Sequence, residues 1–301
     1  MIVFYIHYYF LLLLGLLSWI LSFNALRYHL SKFISNLLNF LPNKRQGITQ
    51  TNLLNSFPTI SKTDLQNIQK ITNTNLFVTM LEFLSVPYRK KDQVVKQFEF
   101  PDDDKVKEVF NGSKGSVLLS AHFGNWELAA MSAGVYYNKP ITLIVKAQKN
   151  PLVSNLFNKY RTLWNNKVVD MGNAAKVMID TVKNGGTIGL LADQAANPHR
   201  DIFIEFFGRP AVTYEAPASL ALRYKVPIIV MFAIRKDDGN YKIYHEILDT
   251  QNLTDTPENR AKVMSMYNTS LENIIRQYPE QWTWQHNRWK YNPEDYKKGN
   301  Q

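Results

Sequence analysis

The residues Ser120-Ala121-His122-Phe123-Gly124-Asn125-Trp126-Glu127 set an imidazole and a carboxylate five positions apart. Histidine is the side chain whose ordinary pKa lets it take and return a proton near neutrality. A carboxylate that holds one ring nitrogen fixes the tautomer, and the other nitrogen can then accept a proton from a hydroxyl. His122 is therefore the candidate base and Glu127 its candidate orienting partner.

Such a pair needs a break in the chain. On one continuous helix, residues five apart lie about 140° around the axis and do not meet. Val117-Leu118-Leu119 reads as a buried strand, and Gly124-Asn125 as the break at which a helix starts. Asn125 is suited to cap that helix, whose N-terminus favours an ionised Glu127. Taken alone, the same spacing also describes a capped helix beside an ordinary polar histidine. No G-x-S-x-G elbow surrounds Ser120, so it reads as a strand-end structural serine rather than a nucleophile.

The elements that must position these residues alternate along the chain. Val117–Ser120, Ile141–Val145, Thr187–Ala192 and Pro227–Ile234 read as core strands. Ile202–Phe206 and Tyr241–Ile247 add two more, the second suited to an edge. Helical patterns fall near 125–137, 151–165, 174–184, 215–224 and 257–277. Strands alternating with helices predict an α/β sheet covered on both faces. Upstream, Lys62–Ser85 reads as a helix with Ser61 as its N-cap, and Glu82 within it reads as a structural partner.

Ile2 to Phe23 is an apolar run in which His7 is the only side chain that titrates near neutrality, long enough for a membrane helix. No Lys or Arg precedes it, and Leu21-Ser22-Phe23-Asn24 is a poor signal-peptide cleavage site. Arg27, Lys32, Lys44 and Arg45 follow, which by the positive-inside rule puts the rest of the chain in the cytoplasm. A helix that crosses the bilayer and one that dips into a single leaflet both fit. Residues 24–41 continue with a helical spacing of apolar side chains that suits either a headgroup surface or the domain itself. The expected organisation is a membrane helix over 1–23 and one domain over 24–301.

The segment His122-Phe123-Gly124-Asn125-Trp126-Glu127 resembles the core motif of the bacterial lysophospholipid acyltransferase superfamily, and most of all its lipid A late acyltransferase branch. Further segments resemble that family in the same order: Asn52-Leu53 with Phe57-Pro58, Ala192-Asp193-Gln194, Phe206-Phe207-Gly208-Arg209-Pro210-Ala211 with Thr213, and Trp284-Gln285-His286-Asn287-Arg288-Trp289-Lys290. The resemblance implies a glycerolipid acyltransferase-like fold, a mixed and mostly parallel sheet flanked by helices. It implies a membrane-bound enzyme moving a fatty acyl chain from acyl carrier protein, or from coenzyme A, to a hydroxyl of a lipid A-type glycolipid precursor. That enzyme would work at the cytoplasmic face of the inner membrane. A lysophospholipid or amino-acid lipid acceptor, a hydrolase and a non-catalytic lipid-binding module remain open alternatives.

The resemblance also implies site residues. Arg161 would lie in the active cleft, and Asp193 and Gln194 beside the active site, although Ala195 stands where relatives often carry a third polar residue. Arg209, in a segment read as strand, turn and helix, would meet a phosphate, for which guanidinium is suited. Asn125 would serve at the substrate side of the motif. The tail, with Trp282, Trp284, His286, Arg288, Trp289 and Lys290, suits a membrane interface or a glycolipid headgroup, or else packs on the core.

Composition narrows the field. The chain has no cysteine, which excludes disulfides, thiolate metal sites and cysteine nucleophiles. Asp193 lacks the neighbouring carboxylates of a metal site, so neither metal nor cofactor is expected. Thirty-five basic residues against 25 acidic ones give a net charge of +10, favourable for an acidic carrier protein or a phosphorylated lipid. The basic residues are dispersed and no nucleic-acid-binding motif accompanies them, so nucleic acid is not an expected partner.

Overall fold

The computed structural model describes residues 1–20, 24–39 and 44–296. Four helices lead: α1 (Ile2–Ile20), α2 (Asn24–Asn39), α3 (Lys44–Ser56) and α4 (Lys62–Ser85). Leu21–Phe23 and Leu41, in the two apolar stretches expected near the N-terminus, lie outside the described residues. The chain continues through α5 (Lys91–Val95), β1 (Phe98–Glu99), α6 (Asp104–Asn111), β2 (Ser116–Ser120) and α7 (Trp126–Tyr136). Next come β3 (Ile141–Val145), α8 (Pro151–Arg161), β4 (Lys167–Asp170), α9 (Ala174–Lys183) and β5 (Thr187–Leu191). It ends with β6 (Ile202–Phe206), β7 (Arg209–Thr213), α10 (Ala216–Tyr224), β8 (Ile228–Arg235), β9 (Tyr241–Leu248) and α11 (Pro257–Gln277).

Seven strands form one sheet in the order β1-β9-β8-β2-β5-β3-β4. β8, β2, β5, β3 and β4 run parallel, while β9 runs antiparallel to β8 and β1 follows β9. The expected mixed, mostly parallel sheet is thus what the chain forms. β9 lies one place inside the edge, because the two-residue β1 pairs with its outer side.

Alternate side chains of each strand serve opposite faces, as the pleat requires. Val117, Leu119, Ile228, Val230 and Phe232 pack beneath α9, α10 and α11, with Met178, Leu220 and Leu271 opposite them. Leu118, Ile229 and Met231 face the other way, toward α4, α7 and α8, against Phe83, Leu128 and Phe157. Burial on both faces explains why β2 and β8 read as continuous apolar runs.

Two expectations need correcting. The segment after Phe206 does not lead into a helix: β6 and β7 form an antiparallel hairpin, with Phe206 opposite Arg209. Phe207 and Gly208 make its two-residue turn, and both have positive φ (+53° and +68°), the backbone a tight hairpin demands. The tail tryptophans are not a membrane-facing surface. Trp282, Trp284 and Arg288 are fully buried, packed on the core without forming a strand.

Candidate active site

The chain leaves β2 at Ser120, whose hydroxyl donates to the Met231 carbonyl (2.6 Å), the structural role expected of it. Two residues on stands His122. β5 lies beside β2 in parallel register, with Ser120 opposite Leu191. Two residues beyond Leu191 stands Asp193. The register therefore brings these side chains together at the carboxyl end of the sheet, where open α/β folds place functional groups.

The contact is specific. His122 Nδ1 lies 2.9 Å from Asp193 Oδ1, and the His122 backbone N–H donates to Asp193 Oδ2 at 3.0 Å. The Trp282 indole N–H donates to that same oxygen at 2.9 Å. Asp193 is buried beneath the imidazole, while His122 keeps about a quarter of its side chain exposed (24%). Burial opposes the carboxylate's charge, but His122 and the Trp282 indole outweigh it and hold the Asp193 pKa below its usual value. Burial likewise opposes the imidazolium, yet the Asp193 carboxylate, helped by Glu127, lifts the His122 pKa above its ordinary value.

Glu127 does not orient His122 in this arrangement. It sits in the first turn of α7 and takes a two-point ion pair from Arg161 at the end of α8, Nε to Oε2 at 2.9 Å and Nη2 to Oε1 at 2.5 Å. Arg161 also lies against the Phe83 and Phe157 rings, 5.8 Å from each centroid. Pair and histidine still share one cleft. Its volume is about 430 Å³, within the usual range for small-molecule sites. His122, Trp126, Glu127, Arg161 and Gln194 line its mouth together with Lys146, Gln148 and Lys149. Leu118, Leu143, Gly189, Leu190 and Met231 from the sheet, with Ala129 and Ala130 from α7, make an apolar interior.

The loop between His122 and Glu127 is tightly held. Gly124 has φ +55°, and a Cβ on it would lie 1.7 Å from the Ala233 carbonyl oxygen, so only glycine fits there. Its N–H donates to the Gln281 carbonyl (2.9 Å), and its own carbonyl accepts from the Thr79 hydroxyl (2.8 Å). Asn125 caps α7 as expected, accepting from the Leu128 N–H at 3.0 Å. It is fully buried, however, and its amide donates to Glu82 Oε2 at 2.7 Å, so it faces the interior and does not line the cleft. Glu82 in turn takes both terminal nitrogens of Arg235 (3.0 and 2.8 Å) and the Tyr241 hydroxyl, the structural partnership expected for it.

The remaining expected residues divide. The Gln194 amide nitrogen lies 3.4 and 3.3 Å from the two His122 ring nitrogens, against the ring rather than aimed at either. Arg209 is exposed at the hairpin and is not part of the cleft wall. Trp282 was not foreseen as a partner of Asp193, nor Lys146, Lys149 and Tyr214 as cleft residues. Nothing local in the sequence marks them, since they arrive from separate connections. The distant motif segments support the site from below. Asn52 donates to the Trp284 and His286 carbonyls (2.8 and 2.7 Å), and Arg288 donates to the Val212 carbonyl and the Thr213 hydroxyl (2.5 and 2.6 Å). His286 Nε2 accepts the Ala195 N–H at 3.0 Å, next to Gln194.

A part-exposed histidine held by a buried carboxylate at the carboxyl end of a mostly parallel sheet, beside a cleft with an apolar interior, defines an α/β enzyme equipped for proton transfer. A family model described as bacterial lipid A biosynthesis acyltransferase matches residues 3–291, and the chain belongs to that family of acyltransferases. It is 26% identical over 245 residues to a lipid A biosynthesis acyltransferase of Haemophilus influenzae, covering 80% of this chain and 74% of the relative. It is 23% identical to the lipid A biosynthesis lauroyltransferase of Escherichia coli K12 (83% and 81% covered). It is 22% identical to the palmitoleoyltransferase of the same strain (83% and 80% covered).

Proposed function

We propose that the protein is a membrane-bound O-acyltransferase that moves a fatty acyl chain from acyl carrier protein to a hydroxyl of a lipid A-type glycolipid precursor. The observation that carries this reading is the His122–Asp193 pair at the mouth of an apolar cleft. The names of the relatives support the acceptor class, and the net charge of +10 suits an anionic donor such as an acidic carrier protein.

In the proposed mechanism, Asp193 holds Nδ1, so Nε2 of His122 accepts the acceptor's hydroxyl proton. The acceptor oxygen attacks the thioester carbonyl, forming the new C–O bond and a tetrahedral oxyanion. Arg161, fixed by Glu127, supplies positive charge in the cleft where negative charge develops. Collapse breaks the C–S bond. The leaving thiolate recovers the proton from the His122 imidazolium, and the acyl chain occupies the interior between α7 and the sheet. Base, acceptor hydroxyl and thioester complete the reaction with no cofactor or metal. Catalysis belongs at the cytoplasmic face of the inner membrane, where acyl carrier protein is available.

The test is acyl transfer by detergent-purified protein, with acyl carrier protein and coenzyme A thioesters as donors and with glycolipid and lysophospholipid acceptors. An acylated glycolipid formed from the carrier-protein donor by wild type alone supports the reading. An acylated lysophospholipid keeps the chemistry and overturns the acceptor. Undiminished turnover by His122→Ala defeats the mechanism.

A further inference from the structure

α1 is long and apolar enough to cross a membrane, yet it does not stand away from the protein. From Tyr8 onward, Tyr8, Leu11, Gly15 and Ser18 form one helical stripe facing inward. Near its start, the Phe4 carbonyl accepts from the Asn150 amide at 3.0 Å, in the loop before α8. Near its end, the Ser18 hydroxyl donates to the Leu81 carbonyl of α4 at 2.8 Å, and Trp19 packs against Tyr88 with centroids 5.8 Å apart. A Cβ on Gly15 would meet the Leu84 carbonyl oxygen at 2.4 Å, so the two helices touch backbone to backbone there.

These contacts fix the direction of the helix relative to the domain. Phe4 and Ser18 are about 21 Å apart along the axis at 1.5 Å per residue. Were α1 to stand across a bilayer about 30 Å thick, the domain would have to follow it through most of that depth. Asn150 and its neighbours Gln148 and Lys149, at the cleft mouth, would then lie near one headgroup layer and Tyr88 near the other. The polar surfaces of α4 and α8 between them would be left in hydrocarbon.

The opposite stripe is exposed. Ile2, Ile6, Tyr9, Leu13, Leu17 and Ile20 recur at three- and four-residue spacing, and all six are exposed. Exposed lysines stand in the chain next to the residues that meet each end of the helix: Lys149 precedes Asn150, and Lys90 and Lys91 follow Tyr88 by two and three positions. The exposed apolar stripe suits an acyl layer and the nearby lysines an anionic headgroup layer, while the contacts along α4 and α8 decide between lying in the surface and crossing it.

We infer that α1 lies in the plane of the membrane, docked on α4 and α8, with its outward stripe sunk into a single leaflet and the cleft mouth at its N-terminal end. This requires only a membrane surface and does not depend on the donor or acceptor proposed above. It does explain how a lipid moves sideways from the leaflet into the cleft without leaving the interface.

The absence of native cysteine makes the test direct. A cysteine inserted after Met1 and a reference Lys114→Cys, on an exposed loop of the domain, are each reacted with a membrane-impermeant maleimide in vesicles of known sidedness. Labelling of both from the same face is the expected result. Labelling of the N-terminal cysteine only from the opposite face shows a crossing helix and overturns the inference. Spin labels at Ile6, Leu13 and Ile20 should report one shallow depth, whereas a deep maximum at Leu13 with shallow ends overturns it. A detergent-free dimer that leaves phosphatidylethanolamine–phosphatidylglycerol vesicles unbound would seat a second copy on the stripe and also overturn it. None of these readouts requires turnover, so a failed acyl-transfer assay leaves them interpretable.

Discussion

His122 and Asp193 occupy equivalent positions, each two residues past the end of one of two neighbouring parallel strands, and the in-phase pairing of Ser120 with Leu191 sets them side by side. The sheet itself is the device that aligns the pair. It also makes Asp193, and not Glu127, the residue that decides the tautomer of His122.

The two carboxylates should therefore fail differently. Asp193→Asn removes the charge that holds Nδ1 and should lower kcat by about 10²–10⁴, the usual worth of a positioned base. Glu127→Gln frees Arg161 while leaving the His122–Asp193 contact intact. It should act through the oxyanion or the substrate's fit, with a loss of about 10²–10³ in kcat. Steady-state kinetics on both variants separates them, because only Asp193→Asn should also move the pH profile strongly.

That profile has a defined sign. The base works when neutral, and its pKa is raised above the ordinary value of 6.5, chiefly by Asp193 acting against burial. Activity should fall with acidification along a limb centred above 6.5, and Asp193→Asn should carry that limb to lower pH. A limb at or below 6.5 in wild type would show that Asp193 does not raise the His122 pKa in the working enzyme. The measurement is kcat/KM against pH for the free enzyme.

Much of this was legible in the sequence, for physical reasons. The strands that carry the site are apolar and buried on both faces, so β2, β3 and β5 announce themselves. The caps of α4 and α7 sit on Ser61 and Asn125 because both side chains accept backbone donors at helix starts. What escaped depends on register and on long-range contacts. Two-residue β1 and the Lys167–Asp170 strand are too short to show a pattern. Pro210 disguised β7 as the entrance to a helix, although the hairpin tolerates a proline at its edge. His122 and Asp193 are 71 positions apart, and only the pairing of β2 with β5 joins them. Glu127 seemed the obvious partner by proximity, but Arg161, 34 positions on, takes it.

His286 gives the fold a pH dependence of its own. Burial depresses its pKa from 6.5 to about 4, and its Nε2 accepts the Ala195 N–H. The folded state thus resists a proton that the unfolded chain takes readily. The associated stability is present above pH 6.5 and is lost as pH falls from there toward about 4, at about 1.4 kcal/mol per unit of displacement. Asp193, whose pKa is lowered, adds to the loss only at lower pH, as it falls below the ordinary carboxylate value. Urea midpoints between pH 7 and 4 should decline for wild type and flatten for His286→Gln.

The loop that carries His122 rests on Glu82. Its carboxylate is buried and binds Arg235, Asn125 and Tyr241 at once, and Asn125 caps the helix that follows the histidine. Glu82→Gln keeps the shape and removes the charge, leaving the Arg235 guanidinium buried beside a neutral amide. Breaking a buried pair from one side costs about 3–5 kcal/mol, far more than a surface pair is worth. Chemical denaturation should show a loss of that size, with kcat falling because one carbonyl oxygen cannot serve Arg235, Tyr241 and Asn125 together. Replacing both partners, Glu82→Leu with Arg235→Met, removes the uncompensated charge and should regain stability relative to Glu82→Gln alone. Activity should not return with it, because a leucine side chain has no oxygen to orient the Asn125 amide. Recovery of both together would mean that Glu82 supports the fold but does not position the catalytic loop.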